Sequence, residues 1–406
     1  MINVIGLGYI GLPTALMFSA HGVEVIGTDY NKKHVEQLNA GEITFEEDGL
    51  KELFIEANSK GIKFSTEYVS TDVYIVAVPT PYDKLSKKID ACYVIAAVKK
   101  IMEVCQKGAT IIIESTVSPG TIDKFVRPLV EENGFTIGED INLVHAPERI
   151  IPGKMVYELK HNSRTIGADN KEIGEMVKLL YSSFCQGEIV ITDIRTAEMT
   201  KVVENTFRDI NIAYANELAK ICHSDNMDVY EIIRIANMHP RVNILQPGPG
   251  VGGHCISVDP WFLVGDYPGL ANIILAARKI NDSMPEYVLE RIHDIMKENG
   301  LKDVSRVGLY GLTYKEDVDD VRESPTLQML ACMERHLASG VKVYDPWVKR
   351  DVVENQYHDF DEFLNNVDMV VILVGHMEIK ENMNKLKGKI ILDTRKICEL
   401  EGRYRL

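Results

Sequence analysis

No apolar run in this 406-residue chain approaches the roughly 20 residues needed to cross a bilayer. The longest, Val73–Val78, Thr110–Ile113 and Met369–Val374, are of strand length, so no membrane-bound form is expected. Positive charge is short as well. Against 60 Asp and Glu there are 45 Lys and Arg, a formal net charge of −15 at pH 7. So acidic a chain argues against a nucleic-acid scaffold or a lipid-surface binder, and an anionic ligand would need a local basic pocket working against the global field. Cysteine pairing is absent too. The seven cysteines (92, 105, 185, 222, 255, 332 and 398) are odd in number, scattered and without metal-type spacing. Neither a disulfide framework nor a metal site is expected, and a reducing cytoplasm fits best. The first residues lead straight into a strand pattern, with no basic n-region or apolar h-region, so no leader is expected. There is no internal repeat and no low-complexity segment.

What is present is an ordinary globular composition, 45% hydrophobic and 26% charged, on a chain long enough for two or three domains. Short apolar runs alternate with helical patterns from the start: strands at Ile2–Ile5, Val23–Thr28, Val73–Val78, Ile111–Glu114, Asn142–His145 and Ile189–Thr192, with a helix at Leu12–Ala20. That alternation implies right-handed crossovers and a doubly wound parallel sheet. From Thr196 to Ser224 the chain lacks Gly and Pro and is apolar at helical spacing; Tyr230–Met238 and Leu270–Ile280 also read as helices. Between them, Gln246 to Cys255 is an irregular Gly/Pro loop. Alternation resumes with Val307–Tyr310, Thr326–Leu337, Val341–Tyr344, Asp368–Val374 and Ile390–Asp393. The expected fold is α/β: two Rossmann-like doubly wound domains, 1–193 and 299–406, joined by a helical region, 194–298.

Gly6-Leu7-Gly8-Tyr9-Ile10-Gly11 follows a strand, opens a helix and precedes Asp29 at the end of the next strand. In a dinucleotide site Gly6 permits the turn, Gly8 admits the pyrophosphate and Gly11 lets helix pack on strand. The helix N-terminus faces the phosphates. Asp29 would accept from the ribose hydroxyls, favouring NAD over NADP, although Lys32 and Lys33 lie close by. The same glycines are compatible with an empty α/β turn. Cys255 sits where flanking glycines leave room for a ligand, with Asp259 four residues on. It reads equally as a nucleophile or as a small filler. Lys201, Asn205 and Arg208 share one helical face, either solvated or suited to a phosphate or sugar. Ser115-Thr116 and Ala146-Pro147-Glu148-Arg149 end strands, where open sheets place ligand contacts or simply turn. Tyr314, Lys315, Arg322 and Arg395 follow strands of the second α/β region and suggest a further anionic, nucleotide-like site.

Together these segments resemble the UDP-glucose/GDP-mannose dehydrogenase family almost end to end. The resemblance is carried by Val4–Pro13, Val78-Pro79-Thr80-Pro81, Glu114-Ser115-Thr116, Ala146–Arg149, Ala197-Glu198-Met199 with Lys201 and Asn205, Gly252-Gly253-His254-Cys255, and Lys315 with Arg322-Glu323-Ser324-Pro325. The stretch His239–Gly250, continuing to Val258-Asp259-Pro260-Trp261, is similar to the branch that oxidises UDP-N-acetyl-D-mannosamine. Val258 and His254 stand where glucose-specific relatives commonly carry Lys and Ser, which favours an N-acetylated sugar. Relatives acting on UDP-N-acetylglucosamine or UDP-N-acetylgalactosamine share much of the pattern.

The resemblance implies a four-electron oxidation of a C6 hydroxyl to a carboxylate with two NAD⁺, through a Cys255 thiohemiacetal and thioester. It implies that Lys201, Asp259 and Asn205 serve catalysis, with Glu148 and Thr116 moving protons or placing water. It assigns Gly6, Gly8, Tyr9, Ile10, Gly11, Asp29, Thr80, Thr116 and Arg322 to NAD. It assigns Arg149, Ile150, Lys201, Asn205, Arg208, Gly252, Tyr314, Lys315 and Arg395 to a UDP-N-acetylhexosamine. His239 and Arg241 would reach a partner's site in a homodimer. Two other readings stay open: a two-electron β-hydroxyacid-type dehydrogenase without a thiol step, and a non-catalytic nucleotide-binding regulator.

Overall fold

Four- and five-residue apolar runs can bury both faces only inside a parallel sheet flanked by helices, and that is what they form. The computed structural model describes residues 1–253, 255–335 and 340–406. It divides into two compact units, 1–204 and 205–406, the division falling within one 31-residue helix, Ile194–Ser224. His254, and Leu337 at the end of the expected helix Thr326–Leu337, lie outside the described residues.

The first unit carries β1 (Ile2–Ile5), β2 (Val25–Thr28), β3 (Lys63–Ser65), β4 (Val73–Val76), β5 (Ala109–Ile113), β6 (Ile141–His145), β7 (Arg164–Ala168) and β8 (Ile189–Thr192). Their order across the sheet is β3-β2-β1-β4-β5-β6-β7-β8. Alternate residues feed two cores: Val4, Leu16, Phe18, Ile75 and Val144 on one face, Ile5, Tyr74, Val98, Ile111 and Ile141 on the other. Because β1 lies between β2 and β4, the loops after β1 and β4 part there and open a crevice at the strands' carboxyl ends.

The sheet differs from the expectation in one pairing. β7, absent from the sequence reading, runs antiparallel to β6, with Val144 opposite Ala168. The chain turns back after Ala146-Pro147, and the short helix Met155–His161 intervenes before it re-enters the sheet. β3 was also missed: its Lys63-Phe64-Ser65 buries a single apolar side chain at the sheet's edge.

In the second unit, helices Val229–Ala236, Asp259–Asp266, Asn272–Asp282 and Met284–Glu298 precede a parallel sheet. Its strands are β9 (Val307–Tyr310), β10 (Lys342–Tyr344), β11 (Gln356–Tyr357), β12 (Met369–Ile372), β13 (Ile390–Asp393) and β14 (Tyr404–Arg405), in the order β11-β10-β9-β12-β13-β14. Again the first strand lies inside the sheet, between the second and fourth, so the Rossmann-type switch point recurs. The expected helix Tyr230–Met238 starts at Val229, capped by the Asp228 carboxylate, and stops at Ala236. Among the described residues no helix is long and apolar enough to cross a membrane.

Candidate active site

The loop from Gly6 to Gly11 has the shape its glycines predict. Gly6 has φ +88°, and a Cβ there would lie 2.4 Å from the Ala77 carbonyl oxygen. A Cβ on Gly11 would overlap the Gly6 carbonyl, so helix Gly11–Ala20 packs directly on the turn. Over Gly8 no atom comes within 4 Å of an added Cβ. The loop is therefore tight below and open above, a cradle into which a pyrophosphate fits. Asp29, just past β2, accepts Leu7 N–H at 2.8 Å with Oδ2 and Asn31 N–H at 2.9 Å with Oδ1. It is half-buried, and each oxygen retains a lone pair for a ribose hydroxyl. Tyr9 packs on Phe45 with ring centroids 4.5 Å apart, beside half-buried Ile10. Across the crevice Ser115 accepts Val78 N–H at 2.8 Å, and Thr80 donates to the Thr116 carbonyl at 2.7 Å. The residues present fit an NAD-type dinucleotide.

In the same unit Glu148 is buried at the end of the β6 loop. Its Oε1 accepts Arg149 N–H at 2.7 Å, and its Oε2 accepts from Arg164 Nη2. The Arg149 guanidinium, which the sequence assigned to substrate, is given over to Glu204, the Ser163 carbonyl and the Thr165 hydroxyl, with Nη2 2.5 Å from Glu204 Oε1. Ile150 is buried. On the long helix the polar stripe divides: Lys201 and Asn205 are turned inward, whereas Arg208 is exposed. One turn before Lys201, the Glu198 carboxylate accepts Gly120 N–H at 2.5 Å and Ile122 N–H at 3.0 Å. Burial outweighs those two bonds and pushes its pKa up to about 7.

In the second unit Cys255 is exposed and opens a turn whose carbonyl accepts Val258 N–H at 3.1 Å and Asp259 N–H at 2.9 Å. Helix Asp259–Asp266 starts there, and the buried Asp259 carboxylate accepts the Asn205 amide at 2.6 Å. The glycines before the thiol are needed for close packing. A Cβ on Gly252 would sit 2.6 Å from the Glu323 carbonyl oxygen and 2.7 Å from Tyr314 Cβ. Gly253, at φ +83°, packs on the Tyr314 ring and donates its N–H to the Arg322 carbonyl at 3.0 Å. The Cys255 loop, Tyr314 and Arg322 thus come together. Half-buried Lys315 follows Tyr314 in the chain. Arg322 pairs with Asp320 at 2.6 Å. Arg395 donates to the Leu373 carbonyl at 2.7 Å, and burial lowers its pKa. A Cβ on Gly248 would lie 3.0 Å from its guanidinium. His239 and Arg241 are exposed, held by an Arg241 N–H bond to His239 Nδ1 at 3.3 Å.

Sequence reasoning missed the asparagines that pin this loop. Asn237 exchanges two bonds with the Ile244 backbone, at 2.7 and 2.9 Å, and Asn211 takes Leu245 N–H at 3.0 Å and gives one to the Asn243 carbonyl at 2.8 Å. Asn216 accepts Gly248 N–H at 2.9 Å and donates to Asn281, which donates to Asp209 at 2.7 Å. Arg164 was missed as well. A lone arginine at the start of a strand reads as surface until its carboxylate partners are seen. Among the described residues no group of three His, Cys, Asp or Glu side chains could hold a metal.

Comparison with known proteins follows this division of labour. Residues 1–185 match the NAD binding domain of the UDP-glucose/GDP-mannose dehydrogenase family, 195–283 its central domain and 308–400 its UDP binding domain. The chain is 44% identical to a UDP-N-acetyl-D-mannosamine dehydrogenase of Methanococcus maripaludis, covering 98% of this chain and 93% of that protein. It is 39% identical to an NDP-N-acetyl-D-galactosaminuronic acid dehydrogenase of Ralstonia solanacearum, covering 97% and 95%. Among solved structures, the UDP-N-acetyl-mannosamine dehydrogenase of Staphylococcus aureus superposes with a TM-score of 0.89 at 45% identity, covering 100% and 97%. With its dinucleotide cradle and its thiol loop both accounted for, the chain belongs to the UDP-glucose/GDP-mannose dehydrogenase family.

Proposed function

We propose that this protein oxidises the C6 hydroxyl of UDP-N-acetyl-D-mannosamine to the carboxylate, in the cytoplasm, consuming two NAD⁺ per sugar. The relatives named for that sugar support the substrate, and the observation that carries the chemistry is the Cys255–Asp259 turn with its Asn205 contact. It sets a nucleophile at the start of a helix, one turn from a fixed carboxylate. NAD⁺, when bound, accepts a hydride from C6 in each of two oxidations. In the first, the C6 hydroxyl loses its proton toward Lys201 or Asp259 and becomes an aldehyde. The Cys255 thiolate then adds to the aldehyde carbon, and the resulting thiohemiacetal loses the second hydride to become a thioester. Asn205 and Lys201 stabilise the oxyanion at each tetrahedral stage. Water, placed by Glu148 and Thr116, attacks the thioester; a carboxylate leaves and the thiol is restored.

Gly6, Gly8, Tyr9, Ile10, Gly11, Asp29, Thr80, Thr116 and Arg322 hold the dinucleotide. Arg149 (through its backbone), Ile150, Arg208, Gly252, Tyr314, Lys315 and Arg395 hold the UDP-sugar. Residues 1–193, 194–298 and 299–406 act as NAD, central and UDP-sugar domains. The central helix also supports a homodimer: Phe207, Tyr214 and Ile221 are exposed at seven-residue spacing on one helical face, an apolar seam suited to a second copy. His239 and Arg241 would then complete the partner's substrate site.

The test is a panel of UDP-hexosamines read by NADH absorbance and product mass. UDP-N-acetyl-D-mannosamine should give two NADH and a uronate, whereas one NADH per sugar would overturn the thioester route. Cys255→Ser should bind both ligands and lose turnover, because a hydroxyl is a weak nucleophile at neutral pH. For the dimer, mixing Arg241→Ala with Cys255→Ser subunits should restore activity above either parent. No recovery despite subunit exchange would place Arg241 within its own site.

A further inference from the structure

Arg164 has no part in the assignments above, yet it is among the most buried charges of the first unit, 3% exposed in the middle of the β6–β7 corner. A cation there is tolerated only if carboxylates compensate it. Two are present. Its Nη2 donates to Glu148 Oε2, while its Nη1 stands 3.4 Å from Glu114 Oε1. Its guanidinium plane lies over the Tyr181 ring at 4.2 Å, and Tyr181 donates its hydroxyl to Glu114 at 3.0 Å. One cation between two buried carboxylates leaves a charge over. The structure indicates which carboxylate yields. The contact to Glu114 is the long one. Burial raises the Glu114 pKa against the pull of Arg164. The close contact of Arg164 is with Glu148 and the long one with Glu114, so its charge serves Glu148 first.

Glu148 therefore has both oxygens engaged by donors, Arg149 N–H on Oε1 and Arg164 on Oε2. The Arg149 side chain cannot serve this purpose, since Glu204 holds it. We propose that Arg164 is the positioning residue of Glu148: it keeps the carboxylate ionised and in one rotamer, so that its remaining lone pairs face the reacting water. The proposal rests on the reading that Glu148 handles that water. Other titratable or charged groups around Glu148 are Glu114 and Tyr181 beyond Arg164, the Arg149–Glu204 pair, and His145 at the end of β6, which burial holds neutral with a pKa of about 3.

The experiment is the pH profile of kcat with UDP-N-acetyl-D-mannosamine and NAD⁺ for Arg164→Gln, Arg164→Lys and Glu148→Gln, with thermal melting as the folding control. Arg164→Gln should lower kcat at neutral pH by about tenfold or more and move the acid limb up by about one unit or more, because the ionised carboxylate loses its cation. Both KM values should stay within about threefold, since no ligand contact is lost. Arg164→Lys, which keeps the cation but loses the planar fork, should move the acid limb by clearly less than a full unit, and it decides alone if the Gln variant does not fold. A folded Arg164→Gln with an unmoved limb, or a Lys variant whose limb shifts by a full unit, overturns the proposal. If Glu148→Gln itself keeps wild-type kcat, the underlying reading of Glu148 falls. If Glu148→Gln is slow beside a wild-type-like Arg164→Gln, only the role of Arg164 falls.

Discussion

The two sheets place an aspartate at the same point of the same topology and use it differently. Asp29 follows β2 and reaches back to Leu7 in the loop after β1; Asp345 follows β10 and reaches back to Leu312 and Thr313 after β9. Asp29 is half-buried and takes two backbone N–H groups, keeping capacity for a ligand. Asp345 is fully buried and also takes Trp347 N–H at 2.8 Å, Val348 N–H at 3.3 Å and the His376 ring at 3.1 Å. His376 Nδ1 accepts Asp317 N–H at 2.9 Å, so the ring proton must sit on Nε2 and point at Asp345. In the second sheet the acid at this position is a structural knot beside the loop that leads to Tyr314 and Lys315. A recurring fold thus offers a dinucleotide acceptor only where the acid is left unsaturated.

The largest expected effect breaks that knot. Asp345→Asn would set an amide N–H₂ against backbone donors and should cost about 1–3 kcal/mol for each buried donor left unmet, of which there are at least two. Melting should fall by of order 10 °C; a wild-type melt would mean that the two aspartates are equivalent after all.

Glu198 sharpens the comparison, since it too caps a loop after a strand but has no imidazole. Its pKa rises from 4.5 to about 7, so between those values the native state keeps a proton that the unfolded chain releases. Stability from this group is therefore full at acid pH and falls as pH rises through that window, by about 3 kcal/mol in all. Asp345 has the opposite sign: burial raises its pKa, but the His376 and backbone bonds outweigh it and hold it low, so its contribution is lost as pH falls. Denaturant unfolding at pH 5 and 7.5 should show Glu198→Gln flattening the first slope, while the Asp345 slope, which lies below the ordinary carboxylate pKa, should persist in that variant when the series is carried down to pH 3.

Smaller effects fall on the cradle. Gly8→Val has room in the fold and should leave melting unchanged, yet weaken NAD⁺ binding about a hundredfold, or about 2.7 kcal/mol, by filling the pyrophosphate's place. Asp29→Asn should cost about tenfold in NAD⁺ affinity and less than about 1 kcal/mol in stability. Calorimetric titration separates the two, and a large stability loss in Asp29→Asn would erase the contrast with Asp345.

Both α/β sheets were legible because parallel strands buried on two faces are runs of Val, Ile and Leu, and because Gly6, Gly8 and Gly11 sit between strand and helix. β7 was not, since its Arg164-Thr165 start looks polar and its direction depends on a reversal that no local pattern reports. Cys255, Asp259 and Asn205 were singled out from spacing and resemblance, but the 2.6 Å contact between positions 205 and 259 is a tertiary fact. The Arg149 guanidinium shows the reverse. Its residue type invited a ligand, and Glu204, one turn beyond Lys201, holds it. Asp345 was invisible as a knot because the sequence Tyr344-Asp345-Pro346 gives no hint of how many donors converge on it.

The asparagine pins at the Cys255 loop carry a consequence for how the enzyme answers acidity. Carboxamides neither gain nor lose protons in water near neutrality, and Asn237, Asn211 and Asn216 grip the backbone at 244, 245 and 248. The ionisable member of that network is Asp209, lifted by burial to about 6 despite Arg278, and it stands two amides away from Gly248. Titration of Asp209 near pH 6 therefore reaches the scaffold under the thiol only through Asn281 and Asn216, two side chains that keep their own protonation while they pass it on.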